Sequence, residues 1–194
     1  MEIQQQGQAV DRAKAPKNPY VQLSALLLVG LIALLASWFF MRGGNQTQSA
    51  ALPAVGKPGI VDESQLHALA AHSKFPLYWA GPKQGAYELT RAQDGRVWVR
   101  YLESASQVGA RSAKYLTIGT YPSKHAFLAI RRAAERPGGL SLQIPNGGLL
   151  VFNTNSPKSI HFGYPKTSYQ VEVFDPSPQQ ARTLVLGGKI TPIK

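Results

Sequence analysis

An uninterrupted apolar run, Leu23 to Met41, contains no charged residue. As a helix rising about 1.5 Å per residue, this run reaches roughly 28 Å, close to the thickness of the hydrocarbon core of a bilayer. It therefore predicts a membrane-spanning helix over residues 20–42. The positions expected inside the bilayer include Leu23, Leu28, Leu34 and Phe40.

Two other interpretations of this run are a buried helix and a cleaved signal peptide. A helix that is apolar on all sides needs a larger core than about 150 further residues supply. A signal peptide has a shorter apolar region, about 7–15 residues, followed by a small-residue cleavage site. This run is longer and ends in Trp38-Phe39-Phe40-Met41, so we favour an uncleaved anchor in the lipid bilayer.

The charges beside the run predict its orientation. Arg12, Lys14 and Lys17 precede it, whereas Arg42 and Lys57 follow it. Positive residues favour the cytoplasmic side, so the N-terminal tail is expected inside the cell and the rest of the chain outside. The opposite orientation would leave a cytoplasmic domain in contact with nucleic acid or anionic lipid.

The remaining sequence divides into three parts. Residues 1–19 form a polar tail, residues 43–60 form a linker rich in Gly, Ser, Ala and Pro, and residues 61–194 form a folded domain. The chain has no cysteine, so no disulfide can hold an exported domain together. This composition fits a bacterial exported domain better than a disulfide-stapled ectodomain.

Alternating apolar and polar residues in the domain predict a β-hairpin around Asp94-Gly95. A two-residue turn would pair Leu89 with Arg100, and a three-residue turn with Gly95 left-handed would pair Leu89 with Val99. The second register places the apolar residues on one face, so we choose it. The other predicted elements are a helix capped by Asp62 and Gln65 and running to about His72, a strand over 114–121, a helix from Pro122-Ser123 to about Arg136, a hairpin around Asn146-Gly147, strands over 159–164 and 169–174, and a helix from Ser177 to about Leu186.

These elements predict an α+β fold in which short helices flank an antiparallel sheet. The order strand, Pro-Ser, helix occurs at Pro122-Ser123 and again at Pro176-Ser177, 54 residues later. One interpretation is a duplicated hairpin–strand–helix unit. The other is chance, because Pro and Ser are common at helix starts.

Net charge lies mainly in the C-terminal part of the chain. Of the total of +11, residues 43–194 contribute +9, from seventeen Lys and Arg against eight Asp and Glu. A basic domain at a membrane suggests anionic neighbours, such as lipid headgroups or an anionic envelope polymer. A solvated surface without a dedicated partner is the alternative, and nucleic acid is the less favoured partner.

Motifs of catalysis are absent from the sequence. His67 and His72 are five residues apart, which separates them on a helix, and no HExxH, CxxC or GxSxG motif occurs. Glu172 lies between Val171 and Val173 and is expected to face solvent. No cofactor or metal is predicted, and an enzyme is the less favoured class.

Trp98 with Arg96 and Arg100 is the best candidate for a binding site. The three residues share the face of the hairpin that is opposite to the apolar one, and an aromatic ring between guanidinium groups can bind an anionic chain, a sugar or a base. Alternatively, a helix covers this face and Trp98 belongs to the core.

Three segments resemble those of uncharacterised single-pass membrane proteins of high-GC Gram-positive bacteria. They are Phe75–Pro82, Tyr87–Arg96 and Val171–Pro178. The resemblance covers roughly residues 62–190 and implies an extracytoplasmic domain, but no activity.

Together these features predict a single-pass membrane protein with an extracytoplasmic domain that binds or scaffolds an unidentified ligand without catalysing a reaction. An accessory subunit of a membrane protein complex is one alternative. An envelope hydrolase with an unrecognised site is another.

Overall fold

A computed structural model describes residues 51–194, whose buried side chains form a core of their own. The predicted membrane segment, including Leu23, Leu28, Leu34 and Phe40, lies outside the described residues. Among residues 51–194, no helix is both long and apolar enough to cross a bilayer.

The described chain is α+β, as the sequence predicts, with mostly antiparallel strands and three short helices. The strands are β1 (Gly59–Val61), β2 (Tyr78–Trp79), β3 (Ala86–Arg91), β4 (Val97–Leu102), β5 (Thr117–Pro122), β6 (Gly139–Ile144), β7 (Gly148–Asn153), β8 (Ser156–Gly163), β9 (Tyr169–Phe174) and β10 (Thr191–Pro192). The helices are α1 (Glu63–Ala71), α2 (Ala126–Ala134) and α3 (Pro178–Leu186).

Eight strands form one antiparallel sheet in the order β1-β3-β4-β5-β9-β8-β7-β6, and β10 pairs with β2 in a second, small sheet. In the β3–β4 hairpin Leu89 pairs with Val99, which confirms the register with the three-residue turn. Gly95 has the positive φ of 85° that this turn requires.

The two faces of the large sheet are covered differently. The first face carries the main core, which includes Leu89, Ile118, Ile160 and Val171, together with buried residues of α1, α3 and the small sheet. The second face is covered by α2 over one half: α2 packs on β6–β9, and Ile130 lies against the backbone of Gly163. The other half of this face is the region where Trp98 lies.

Local signals correctly predict α1 and α3. The side chain of Asp62 accepts a hydrogen bond from the backbone N–H of Gln65, and the Gln65 side chain accepts one from the N–H of Asp62. Ser177 caps α3 through the N–H of Gln180, and α3 ends at Leu186.

The predicted start of α2 is wrong. Pro122 still belongs to β5, where it pairs with Tyr169, and the N–H of Ser123 donates to the carbonyl of Ser168. The helix therefore begins at Ala126, and His125 at the N-cap position makes no side-chain hydrogen bond. Long-range pairing between β5 and β9 extends the strand through the residues predicted to cap the helix.

Part of the predicted linker is regular structure in the described chain. Gly59–Val61 form β1, which pairs along the edge of β3, and the N–H of Gly56 donates to the carbonyl of Arg91. Arg91 Nη2 donates to the carbonyl of Pro53 at 2.5 Å. The segment from Pro53 onward is therefore held against the sheet.

Candidate functional site

The open half of the second face is built from two rows of paired residues. Trp98 pairs with Gly119, Gly119 with Glu172, and Glu172 with His161. One step along, Arg100 pairs with Glu88 and Thr117, in a row that continues through Phe174 to Ser159. Directly paired residues point to the same face, so these side chains line one surface.

The three candidate residues lie on this surface but have different environments. Trp98 is partly buried and lies outside the main core. The Arg96 guanidinium lies 5.2 Å from the centre of the Trp98 ring and forms an ion pair with Asp94 at 2.7 Å. Arg96 therefore covers part of the Trp98 ring at the rim.

Arg100 is held by a buried carboxylate. Its Nε donates to Glu88 Oε1 at 2.9 Å, its Nη2 donates to the same oxygen, and Glu88 is only 1% exposed. Arg100 Nη1 donates to the carbonyl of Ala110, and the N–H of Gly109 donates to Glu88 Oε2, both at 2.6 Å. This pair clamps the loop between β4 and β5 at the edge of the site, so Arg100 has a structural role there.

A second polar network connects Trp98 with Glu172. The indole Nε1 donates to the hydroxyl of Tyr121 at 2.9 Å, and Tyr121 in turn donates to Glu172 Oε2. Ser159 donates to the other carboxylate oxygen of Glu172 at 2.7 Å. The carboxylate is thereby fixed in one orientation while 24% of its side chain remains exposed.

Gly119 makes this network possible. Tyr121 folds back along β5, so a Cβ on Gly119 would lie 2.7 Å from the Tyr121 ring and hydroxyl. A residue without a side chain is required here because the ring occupies that space.

Burial and the same contacts shift the pKa values of Tyr121 and His161. Burial raises the pKa of Tyr121, and its hydrogen bond to the Glu172 carboxylate adds to the shift, so Tyr121 stays protonated and remains a donor. Burial lowers the pKa of His161, although the Glu172 charge opposes this effect. His161 Nε2 lies 4.0 Å from Glu172, and near neutral pH the imidazole is expected to be largely uncharged.

The open half of the second face contains a cleft of about 380 Å³. That volume lies within the range of small-molecule sites, roughly 300–1,000 Å³. Its lining residues are Glu88, Thr90, Trp98, Arg100, Ser112, Ala113, Tyr115, Thr117, Gly119, Glu172 and Phe174. We call this the Trp98 cleft.

A different, cationic surface lies at the end of the β3–β4 hairpin. A groove of about 720 Å³ is lined there by Lys74, Arg91, Arg96 and Lys124, among other residues. Among the described residues that line this groove, Asp94 carries the single carboxylate, and it is paired with Arg96. We call this the cationic groove.

Sequence reasoning missed several of these features. Glu172 was expected to face solvent as an ordinary strand residue, whereas Tyr121 and Ser159 bind it beside the cleft. The position of Glu172 between two valines predicts the correct face of the sheet. It does not predict the hydrogen-bond partners of Glu172, which lie on β5 and β8. The cationic groove unites β3, β4 and the residues after α1 and β5, which no local pattern connects.

Among residues 51–194, no group of three or more His, Cys, Asp or Glu residues is placed to hold a metal ion. Comparison of the chain with models of protein families, with curated proteins and with solved structures finds no match.

Proposed function

We propose that this chain is a single-pass membrane protein whose C-terminal domain lies outside the cytoplasm and works as a binding or scaffolding module at the membrane surface. In this proposal the cationic groove contacts anionic phosphate groups of the lipid headgroups. The observation that supports it is that the groove lies beside Ala51 and Leu52, the described residues that are nearest in sequence to the predicted membrane segment.

Two residues that line both the groove and a neighbouring depression show that Ala51 and Leu52 lie close to the groove. Ala51 and Leu52 line a small depression together with His72 and Arg91, and both of these residues also line the cationic groove. Residues 42–50 separate Ala51 from the predicted membrane segment. Nine residues span at most about 30 Å when fully extended, which sets an upper limit on the distance between Ala51 and the end of the predicted segment.

Electrostatics favours this contact. Lys74 and Lys124 are exposed on the groove, and helix α2, which begins just after Lys124, carries the exposed Arg131 and Arg132 in its last turn. Each cation close to an anionic membrane surface contributes roughly 1 kcal/mol to binding.

Removing two of these cations tests the proposal. A fragment of residues 49–194 is expected to sediment with phosphatidylglycerol vesicles at low salt and not with phosphatidylcholine vesicles. The double variant Lys74→Glu/Lys124→Glu should weaken that binding about 30-fold or more, because the loss of two cations alone removes roughly 2 kcal/mol. Added salt should weaken the binding of the wild-type fragment as well, since ions screen exposed charges.

The matched control changes the net charge equally at the other end of the sheet. Lys158 is exposed near the C-terminal end of β9, and Arg111 is exposed in the loop between β4 and β5. The double variant Arg111→Glu/Lys158→Glu should therefore retain most of the vesicle binding. Equal losses in the two double variants would show a nonspecific charge effect and would refute the groove as the contact surface. Stoichiometric co-purification of another membrane protein would instead favour an accessory subunit.

The orientation of the domain has a separate test. Alkaline phosphatase fused after Lys194 is active only if it is exported, so we expect activity from this fusion in a bacterial host. A stable but inactive fusion, together with an active cytoplasmic reporter at the same position, would place the domain inside the cell.

The duplicated unit remains part of this proposal. The first half contains a hairpin, one further strand and a helix, whereas the second contains a hairpin, two further strands and a helix, with β8 between its hairpin and β9. The halves meet where β5 pairs with β9. The caps and packing of the two helices differ, however, because Ser177 caps α3 and no side chain caps α2.

A further inference from the structure

The charges that line the Trp98 cleft differ from those of the rest of the domain. Its lining contains Glu88, Arg100 and Glu172, and the first two neutralise each other in a direct ion pair. Glu172 therefore leaves the cleft with one net negative charge, within a chain segment of net charge +9. An anionic ligand would meet this carboxylate at the base of the cleft and be repelled.

Cationic ligands have no free aromatic cage in the cleft. The Arg96 guanidinium already lies near the Trp98 ring. The Tyr115 ring has the Arg100 guanidinium at 5.6 Å and the Lys114 ammonium at 5.4 Å. A second cation near these rings would be repelled by the first, which disfavours the cation–π recognition of an ammonium group.

The groups that remain suit a neutral ligand with several hydroxyls. Trp98 on β4 and Phe174 on β9 offer apolar ring surface in the cleft, and Thr90 and Ser112 offer hydroxyls. The Thr117 hydroxyl donates to the carbonyl of Tyr115 and can accept from a ligand. Each Glu172 oxygen accepts one protein hydrogen bond and has a further lone pair for a ligand hydroxyl. Because Tyr121 and Ser159 fix the carboxylate, it loses little freedom when a ligand binds.

We propose that the Trp98 cleft binds a neutral carbohydrate, with a sugar ring against Trp98 and its hydroxyls donating to Glu172. The C–H face of a pyranose is apolar and packs on aromatic rings, while its hydroxyls need fixed acceptors. This site adjoins the cationic groove at Arg96, which lines the groove and lies over the Trp98 ring, but the residues proposed to bind the sugar do not line the groove.

The test uses the full chain in phosphatidylcholine nanodiscs, which exclude anionic lipid. The neutral probes are maltotetraose and the N-acetylglucosamine tetramer, and the charged probes are tripolyphosphate and spermidine. Calorimetric titration and saturation-transfer NMR are expected to detect binding of at least one neutral probe and of neither charged probe.

Two variants locate the bound sugar. Trp98→Ala should weaken binding of the neutral probe at least tenfold, and Trp98→Phe should retain part of it. Glu172→Gln conserves the shape of the side chain and should weaken binding several-fold, because hydrogen bonds to a charged acceptor are stronger than those to a neutral one. Lys189→Ala, an exposed position after α3, is the control that should bind normally. Thermal melting of each variant confirms that it is folded.

Three results would overturn the proposal. They are the absence of binding by both neutral probes, neutral binding that is unchanged in folded Trp98→Ala and Glu172→Gln, and binding of a charged probe that Trp98→Ala abolishes. None of them affects the headgroup contact, which the vesicle experiment judges separately.

Discussion

Replacing Arg100 by alanine is expected to lower the free energy of unfolding by about 3–5 kcal/mol, because the change leaves the carboxylate of Glu88 buried without its partner. Glu88 is 1% exposed and the Arg100 side chain 20% exposed, so water cannot fully replace the lost guanidinium. The loop held by Gly109 and Ala110 would lose its anchor as well. For a domain of this size the midpoint of thermal unfolding should fall by roughly 10 °C.

Thermal and urea unfolding of residues 49–194 measure this effect. Arg96→Ala is the matched control, because Arg96 is exposed and its ion pair with Asp94 is a surface contact, which contributes about 0–1 kcal/mol. A stability loss in Arg100→Ala no greater than that in Arg96→Ala would contradict the clamping role of the Glu88–Arg100 pair.

Replacing Gly119 by alanine is expected to cost about 1–3 kcal/mol, the range found when a methyl group is forced into packed surroundings. The new Cβ would lie 2.7 Å from the Tyr121 ring and hydroxyl, so the ring must shift and its hydrogen bonds with Trp98 and Glu172 are disturbed. Glu172 would then be held by Ser159 alone. The tryptophan fluorescence of residues 49–194, which comes from Trp79 and Trp98, should change because the Trp98 indole loses its hydrogen-bond acceptor.

Tyr121→Phe separates the loss of the Tyr121 hydrogen bonds from the steric effect of the methyl group in Gly119→Ala. It removes the hydroxyl and conserves the ring, so it should disturb the fluorescence of Trp98 with a smaller loss of stability, about 0.5–1.5 kcal/mol. If Gly119→Ala unfolds with wild-type stability and leaves the fluorescence unchanged, the close approach of the ring to Gly119 is not the reason for the glycine.

Local signals in the sequence predict much of the secondary structure correctly. The cap at Asp62 and Gln65 and the turn at Gly95 depend on residues within a few positions of each other, so their geometry follows from the sequence nearby. The start of α2 could not be predicted in this way. Tyr169 lies 47 positions after Pro122 along the chain, and its pairing with Pro122 continues β5 past the expected cap.

The same distinction applies to the candidate site. Alternation along β4 predicts that Arg96, Trp98 and Arg100 share a face, and the register confirms it. The partner of a charged residue can be predicted from the sequence when it lies directly across a hairpin, as Glu88 does from Arg100. The contacts of Tyr121 and Glu172 join β5, β8 and β9, whose adjacency is a property of the whole sheet.

The sequence by itself determines the apolar segment at Leu23–Met41, the basic charge of the part that follows it, the hairpin register and the residues that share its faces. These properties depend on composition and on neighbours along the chain. Only the tertiary structure decides that Tyr121 and Ser159 hold Glu172, that α2 covers β6–β9 and leaves Trp98 beside an open cleft, and that Lys74 and Lys124 line one groove. Each of these depends on which strands and helices pack together, because side chains distant in sequence meet only after the sheet has formed.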